Sequence, residues 1–510
     1  MKRLFFLACT LTLIQSCSPV LNQPDKDDGQ IRVNFIQVND VYEIAPLNGG
    51  TEGGMARLAT LKKKYLEQNP NSFLLMAGDF LSPSVYNSLK YEGKPVRGRQ
   101  MIETMNAAGM DFAIFGNHEF DIKETELQER INESRFQWIA SNTFHQQQNR
   151  YSAFARSATD TFPATFIKTV TDADGTTAKI GFIAITLPFN KAAYVSYTDA
   201  LGTAMQLYNK LKDSVDAVVA ITHQAIEDDK ILARELPGLA LIMGGHEHDQ
   251  HFVKAGKVTI TKAMANAKSA FVNTLIINKR KKTTKLRSKL ELIDDSIMPD
   301  SATEAVVQRW VGIAEKNYAS LGFEAGKTVF NEGVPLDGRE NTVRSQSTNL
   351  TRIITAAMAF AAPYADAVIL NAGSIRVDDM LQMPVTQYDI LRTLPFGGGI
   401  REVNMKGSLL QKVIEAGIKN KGTGGYLHYN DALLFDNNSG SWKLKDSLID
   451  PAKIYRVALS DFLLTGGEAN LDFLKPGKTG IVKVFDAETN PMNPLSDIRK
   501  AVIQYAAKRQ

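Results

Sequence analysis

Five short apolar runs in this chain each stop on a side chain able to hold a metal ion. They span residues 35–40, 73–79, 112–118, 217–223 and 240–248, and they close on Asp40, Asp79, Asn117 with His118, His223, and His246 with His248. A short apolar run cut off by a polar break reads as a strand buried in a largely parallel sheet. In open α/β sheets, ligands collect beyond the carboxyl ends of such strands. If the five ends converge, they deliver Asp40, Asp79, Asn117, His223, His246 and His248 to one pocket. Oxygen and imidazole donors without thiolate suit a pair of divalent or trivalent metal ions.

Within that set Asp79 suits the bridging position, because a carboxylate has two oxygens to share between two ions. Asn117 offers a neutral amide oxygen. The one-residue gap between His246 and His248 lets the two rings approach different ions. His118 is left free to act rather than ligate, and Asp121, three residues on, can orient its ring. Four of the seven histidines fall in these motifs, which is the clustering a site produces. His145, His251 and His428 lack that context and read as structural or surface residues.

Strand-like runs alternate with amphipathic stretches from Ile31 to about Asp295, the pattern of an α/β sandwich. Met55, Leu58 and Leu61 mark one helix, Met101, Ile102 and Met105 another. The basic run from Lys279 to Lys289 falls where a hairpin turn belongs and reads as a solvated turn. Ser301 and Glu304 are spaced as a capping box for a helix over 301–320, which reads as the connection to a second domain. The boundaries expected are 1–16 leader, 17–30 tether, 31–298 first domain, 299–325 linker helix and 326–510 second domain, which opens with a helix over 349–361.

The leader has Lys2 and Arg3 ahead of an apolar stretch too short to span a bilayer. It runs into Ile14-Gln-Ser-Cys17, similar to a bacterial lipobox with Cys17 as the lipid-modified first mature residue. Cys9 lies inside the leader, so cleavage leaves no pair of cysteines for a disulfide or a thiolate metal site. The expected address is the cell envelope, anchored through lipid on Cys17 to the outer membrane, on its periplasmic or surface face. With 59 basic and 55 acidic residues, and two of the basic ones in the leader, the charge balance gives no case for nucleic-acid binding.

The ordered set Asn39-Asp40, Gly78-Asp79, Gly116-Asn-His-Glu119, Thr222-His223 and Gly245-His-Glu-His248 resembles that of the calcineurin-like metallophosphoesterases. The longer string Gly116 to Asp121, with Gly53-Gly54 upstream, narrows the resemblance to the 5′-nucleotidase family, over residues 31–490. The resemblance implies a four-layer α/β/β/α sandwich followed by a separate α/β substrate-binding domain joined by a helix. It implies two metal ions (Zn, Mn or Fe) and phosphate release by in-line attack of a metal-bound hydroxide, with His118 and arginines stabilising charge on the phosphoryl group. One position departs from the family. Tyr42 stands where a second ligand of the first motif, a His, is expected; three outcomes are open, that Tyr42 ligates, as a phenolate can for a hard ion, that water replaces it, or that the first metal site is weak.

Further along, Arg344, Asn371-Ala-Gly-Ser-Ile-Arg376 and Leu394-Pro-Phe396 look like the substrate-binding elements of that family. By resemblance Arg344 and Arg376 grip phosphate, Asn371 contacts the ligand, Phe396 and Phe462 sandwich a base, and Glu468 sits where an Asp holds ribose. Ala372, Ser374 and Glu468 depart from the family pattern. The family's C-terminal domain rotates, and the 301–320 helix is where a hinge is expected. The activity expected is hydrolysis of nucleoside 5′-monophosphates and other nucleotides. The alternatives are a 2′,3′-cyclic-nucleotide phosphodiesterase, a nucleotide-sugar hydrolase or a sulfur-ester hydrolase on the same scaffold, and a non-catalytic nucleotide-binding surface lipoprotein with an impaired metal centre.

Overall fold

The computed structural model describes residues 27–148, 150–189, 192–436 and 440–509. The leader, Cys17 and most of the tether therefore lie outside the described residues. The end of the tether is already part of the fold. Gln30 opens the first strand and pairs with Asn278, while Arg280 Nη2 donates to the Asp27 carbonyl at 2.7 Å.

The principal elements of the first domain are β1 (Gln30–Val38), α1 (Met55–Gln68), β2 (Ser72–Met76), α2 (Arg99–Ala107), β3 (Phe112–Ala113), α3 (Glu124–Glu133) and β4 (Gln137–Trp138). There follow β5 (Thr165–Thr171), β6 (Thr177–Thr186), α4 (Ala200–Leu211), β7 (Ala217–His223), α5 (Ile226–Glu235), β8 (Leu241–Gly245) and β9 (His251–Ala255). The domain closes with β10 (Val258–Lys262), β11 (Ser269–Asn278) and β12 (Thr283–Leu292). They form two six-stranded sheets, ordered β12-β11-β1-β2-β3-β4 and β5-β6-β7-β8-β10-β9. The inner strands β1 to β4 run parallel, as do β6, β7, β8 and β10, so their carboxyl ends share one edge.

Side-chain alternation explains the layering. Ile31, Val33 and Phe35 of β1 enter a core shared with Phe182 of β6, Val219 and Ile221 of β7 and Met243 of β8, while Ile36 and Val38 join Leu58, Met101 and Met105 of the helices. Phe35 and Phe182 meet edge-on across the sheets at 5.7 Å between centroids. Helices α4 and α5 cover the second sheet through Ala204, Leu211 and Leu232. The result is the four-layer α/β/β/α sandwich.

Helix α6 (Ser301–Ser320) has the expected span, but its cap is Asp300, not Ser301. Asp300 Oδ1 accepts from Thr303 N at 3.0 Å and from Thr303 Oγ1 at 2.7 Å. The helix packs along the first domain. Val307, Trp310, Ala314 and Tyr318 are buried in the core of the first domain, and Trp310 Nε1 donates to Glu103 of α2.

The second domain contains α7 (Asn349–Ala361), β13 (Ala367–Asn371), α8 (Gln387–Thr393), β14 (Ile400–Lys406), α9 (Gly407–Lys419), β15 (Leu427–Tyr429), β16 (Ile454–Ser460), β17 (Ile481–Val484) and α10 (Ile498–Ala507). Its five-stranded sheet, β15-β13-β16-β14-β17, has α7 and α10 on one face and α9 on the other. Leu391 of α8 enters the first domain's core, and Tyr388 and Ile503 pack against it. Only the start of the basic run, Lys279 to Lys282, forms the β11–β12 turn, where Lys279 and Arg280 are paired with Asp216 and Asp27; Lys285, Arg287 and Lys289 lie on β12 itself.

Candidate metal centre

The five expected strand ends meet at the shared carboxyl edge. Asp40 and Asp79 follow β1 and β2 by two and three residues, and His223 is the last residue of β7. Asp40, Asp79 and His246 all take left-handed backbone, at φ 53°, 57° and 88°. For a non-glycine residue that costs on the order of 1 kcal/mol or more, and such strain is typically held at functional sites. The loops approach so closely that glycine is required between them. A Cβ on Gly78 would lie 2.6 Å from both Gly116 N and His223 Nδ1, and one on Gly116 would strike the Asp79 carboxylate.

One ligand atom from each of Asp40, Asp79 and His223 falls within 4.8 Å of the others. His223 Nδ1 donates to the Ala77 carbonyl at 2.8 Å, which turns Nε2 toward the carboxylates, 3.1 Å from Asp79 Oδ2 and 3.9 Å from Asp40 Oδ1. His248 Nε2 lies 3.6 Å from Asp40 Oδ1, and the rings of His223 and His246 stand 5.5 Å apart. Tyr42 Oη reaches both Asp79 Oδ2 and His248 Nε2 at 3.3 Å. Its hydroxyl is held protonated by burial and by the neighbouring Asp79 and Asp40 charges, which push its pKa well above the usual value.

The donor set fits a cation. Asp40 Oδ1 and Asn117 Oδ1 are buried and have no hydrogen-bond partner among the described residues, and His223 Nε2 faces Asp79 without hydrogen-bond alignment. Buried polar atoms are ordinarily satisfied, so the two orphaned acceptor oxygens, Asp40 Oδ1 and Asn117 Oδ1, call for an electropositive partner. Burial alone would depress His223, yet the Asp79 and Asp40 charges outweigh it and lift the imidazole to about 9.

His118 stands at the rim. Its Nδ1 lies 2.6 Å from Asp121 Oδ2, and its backbone N–H donates to Asp79 Oδ1 at 2.8 Å. Burial disfavours the imidazolium, but Asp79 and Asp121 more than compensate and raise its pKa. The opposite nitrogen, Nε2, is 3.5 Å from Arg376 Nη2 of the second domain. Both residues line an interdomain cleft of about 670 Å³.

Several supporting residues have no role in the reading from sequence. The Glu119 carboxylate accepts from Gly116 N, Asp79 N, Phe80 N and Leu81 N at 2.6–3.1 Å and so clamps two of the ligand loops. Its burial, with the Asp79 charge, pushes it up to about 7. Asn39 Nδ2 donates to Asp40 Oδ2 at 2.7 Å. Lys262, fully buried, reaches Asp229 at 2.9 Å and Glu247 at 2.5 Å and donates to the Gly245 carbonyl, fixing the His246–His248 loop from behind. Glu119 and Asn39 sit inside quoted motifs; Lys262 carries no local signal. His251, set aside as a structural or surface residue, also lines the cleft.

The remaining expected substrate residues form a second group. Arg344 pairs with Glu340 and lies within electrostatic reach of Arg376, Asp378 and Glu468. Asn371 Nδ2 donates to Glu468 Oε2 at 2.9 Å. Phe462 packs near Gly467, and Phe396 and Phe462 are 65% and 44% exposed. Arg376 is the member of this group that touches the metal-type cluster.

Two family models match the chain: calcineurin-like phosphoesterase over residues 33–250 and 5′-nucleotidase, C-terminal domain, over residues 327–475. A 5′-nucleotidase of Bos taurus is 25% identical over 468 aligned residues, covering 82% of this chain and 78% of the relative. The crystal structure of a 5′-nucleotidase precursor from Thermus thermophilus superposes with a TM-score of 0.70 at 20% identity, over 94% of this chain and 97% of that one. The sulfate thiohydrolase SoxB from the same species gives 0.64 at 15%, over 94% of each chain.

Proposed function

Because the chain belongs to the 5′-nucleotidase family of calcineurin-like phosphoesterases, and is thus a phosphoesterase-type hydrolase, we propose that it removes phosphate from nucleoside 5′-monophosphates and related nucleotides. The observation that carries the reading is the meeting of Arg376 with His118 at the mouth of the carboxylate–imidazole cluster. A guanidinium presents paired donors to phosphate oxygens, so a phosphate held by Arg376 would rest against both His118 and the metal donors.

Asp40, Asp79, Asn117, His223, His246 and His248, with the neutral Tyr42 hydroxyl beside them, would hold two divalent ions, whose role when bound is to polarise the phosphoryl group and lower the pKa of water. The chain's own side chains do the rest. Asp121 fixes the His118 ring so that Nε2 faces the substrate, and the raised pKa keeps a proton there to neutralise developing charge. Arg376, with Arg344 behind it, orients the phosphate. The exposed faces of Phe396 and Phe462 offer stacking surfaces for a base. The address we propose is the cell envelope, anchored through lipid on Cys17; the leader and the Ile14–Cys17 string support it.

A second reading has its own motive. The Asn371–Glu468 hydrogen bond occupies two groups that would otherwise serve the nucleoside, which favours other esters on the same scaffold. A phosphate-release screen with added Mn²⁺ or Zn²⁺ decides between them. AMP turnover should depend on metal and fall about 10²- to 10⁴-fold in His118→Ala, the usual range for an acid–base group. Turnover of 2′,3′-cyclic nucleotides well above that of AMP would replace the substrate, and equal phosphate release by both proteins would remove His118 from the mechanism.

A further inference from the structure

Two imidazoles of the cluster are oriented in different ways. His223 is held by the Ala77 carbonyl, from within its own domain. His248 is held from across the interdomain seam: its Nδ1 forms an ion pair with Asp378 Oδ2, leaving Nε2 toward Asp40 and Tyr42. Asp378 lies two residues beyond Arg376, so one short loop of the second domain contacts both His118 and His248. The loop is shaped for this. Asp378 takes left-handed backbone at φ 38°, its carboxylate also accepts from Glu340 N, and its side chain is only 17% exposed.

A carboxylate on the far nitrogen of a metal-binding imidazole fixes its tautomer, aims its ring and raises its basicity. We propose that Asp378 is a positioning residue for His248, so that the second domain completes the metal centre of the first. Any domain arrangement that keeps Asp378 on His248 binds the ion served by that ring more tightly. By linkage, the bound ion favours that arrangement by the same factor. The inference rests on the metal-dependent reading above and adds to it a dependence of metal affinity on the seam.

The test is Zn²⁺ affinity of the full chain, measured by competition with a chromophoric chelator, which needs no turnover. Asp378→Ala should weaken one of two Zn²⁺ ions about 10- to 100-fold, the range for an outer-shell partner, and leave the other unchanged. Asp378→Asn, which keeps an acceptor oxygen, should lose less. In a His248→Ala background, Asp378→Ala should have no further effect, because the coupling runs through that ring. Asp379→Ala, which breaks the neighbouring Lys268–Asp379 pair of 2.6 Å in the same seam, should keep wild-type affinity. Thermal unfolding of the metal-free variants confirms that each one folds. Wild-type affinity in Asp378→Ala, an undiminished loss in the His248→Ala background, or an equal loss in Asp379→Ala would overturn the positioning role. A wild type that binds no Zn²⁺ would instead refute the metal centre itself.

Discussion

The two faces that meet in the cleft are built to different standards. On the first domain, Asp40, Asp79, Asn117 and His223 are all at most 2% exposed and sit on loops locked by Glu119, Asn39 and Lys262. On the second domain the expected base platform is open, with Phe396 and Phe462 facing solvent. Groups that must hold charge at fixed separation need a preorganised, dry setting. A stacking surface needs only an accessible face. The contrast places rigidity at the carboxylate–imidazole cluster and openness where a base is proposed to stack.

The sharpest way to break this contrast is Asp79→Ala. Its carboxylate faces His223, Tyr42 and the His118 backbone at once. Its removal should abolish retention of both ions and lower turnover beyond the ~10²-fold that loss of an outer-shell partner produces. Metal analysis of the purified variant checks it; two retained ions would remove Asp79 from the metal centre.

A smaller and more selective effect is expected on the open face. Phe462→Ala should raise KM for nucleotides about 5- to 100-fold, the equivalent of a lost base stack. Metal content and turnover of a phosphoester without a base, such as p-nitrophenyl phosphate, should not change. Equal loss on both substrates would mean that Phe462 supports the fold instead of the base.

What can be read from the amino acids follows the same division. The strand ends announce themselves because each buried parallel strand is a local apolar run that must stop where its polar residue begins. Helices 301–320 and 349–361 are legible for the same reason, since one face of each repeats at helical spacing. The cap of α6 differs by one residue because Asp300 and Ser301 are both good acceptors, and only the geometry selects Asp300. The packing of α6 on the first domain is not legible for a longer-range reason: nothing near Trp310 in the chain shows that it packs under α2. Asp378 and Lys262 are invisible in the sequence because their partners are 130 and 15 or more residues away, across the seam for Asp378 and on α5 and the loop after β8 for Lys262.

The histidines give the last and mildest way to sharpen the comparison. Those of the first domain's metal-type cluster lie among carboxylates, whereas His428 in β15 of the second domain is 2% exposed and has a carbonyl, that of Val343, as its help toward charge. Burial dominates and depresses its pKa to about 4. In the unfolded chain the ring returns to about 6.5. Between those values the unfolded state binds more protons than the folded one, so stability is full above pH 6.5 and declines as pH falls toward 4. The loss attributable to this ring reaches about 3 kcal/mol at most. His428→Leu, close in volume and unable to titrate, should flatten that part of the stability profile in urea unfolding at pH 4.5–7 while leaving AMP turnover near neutrality unchanged. An acid limb identical in both proteins would move the acid sensitivity from the second domain's core to the carboxylates and imidazoles of the first.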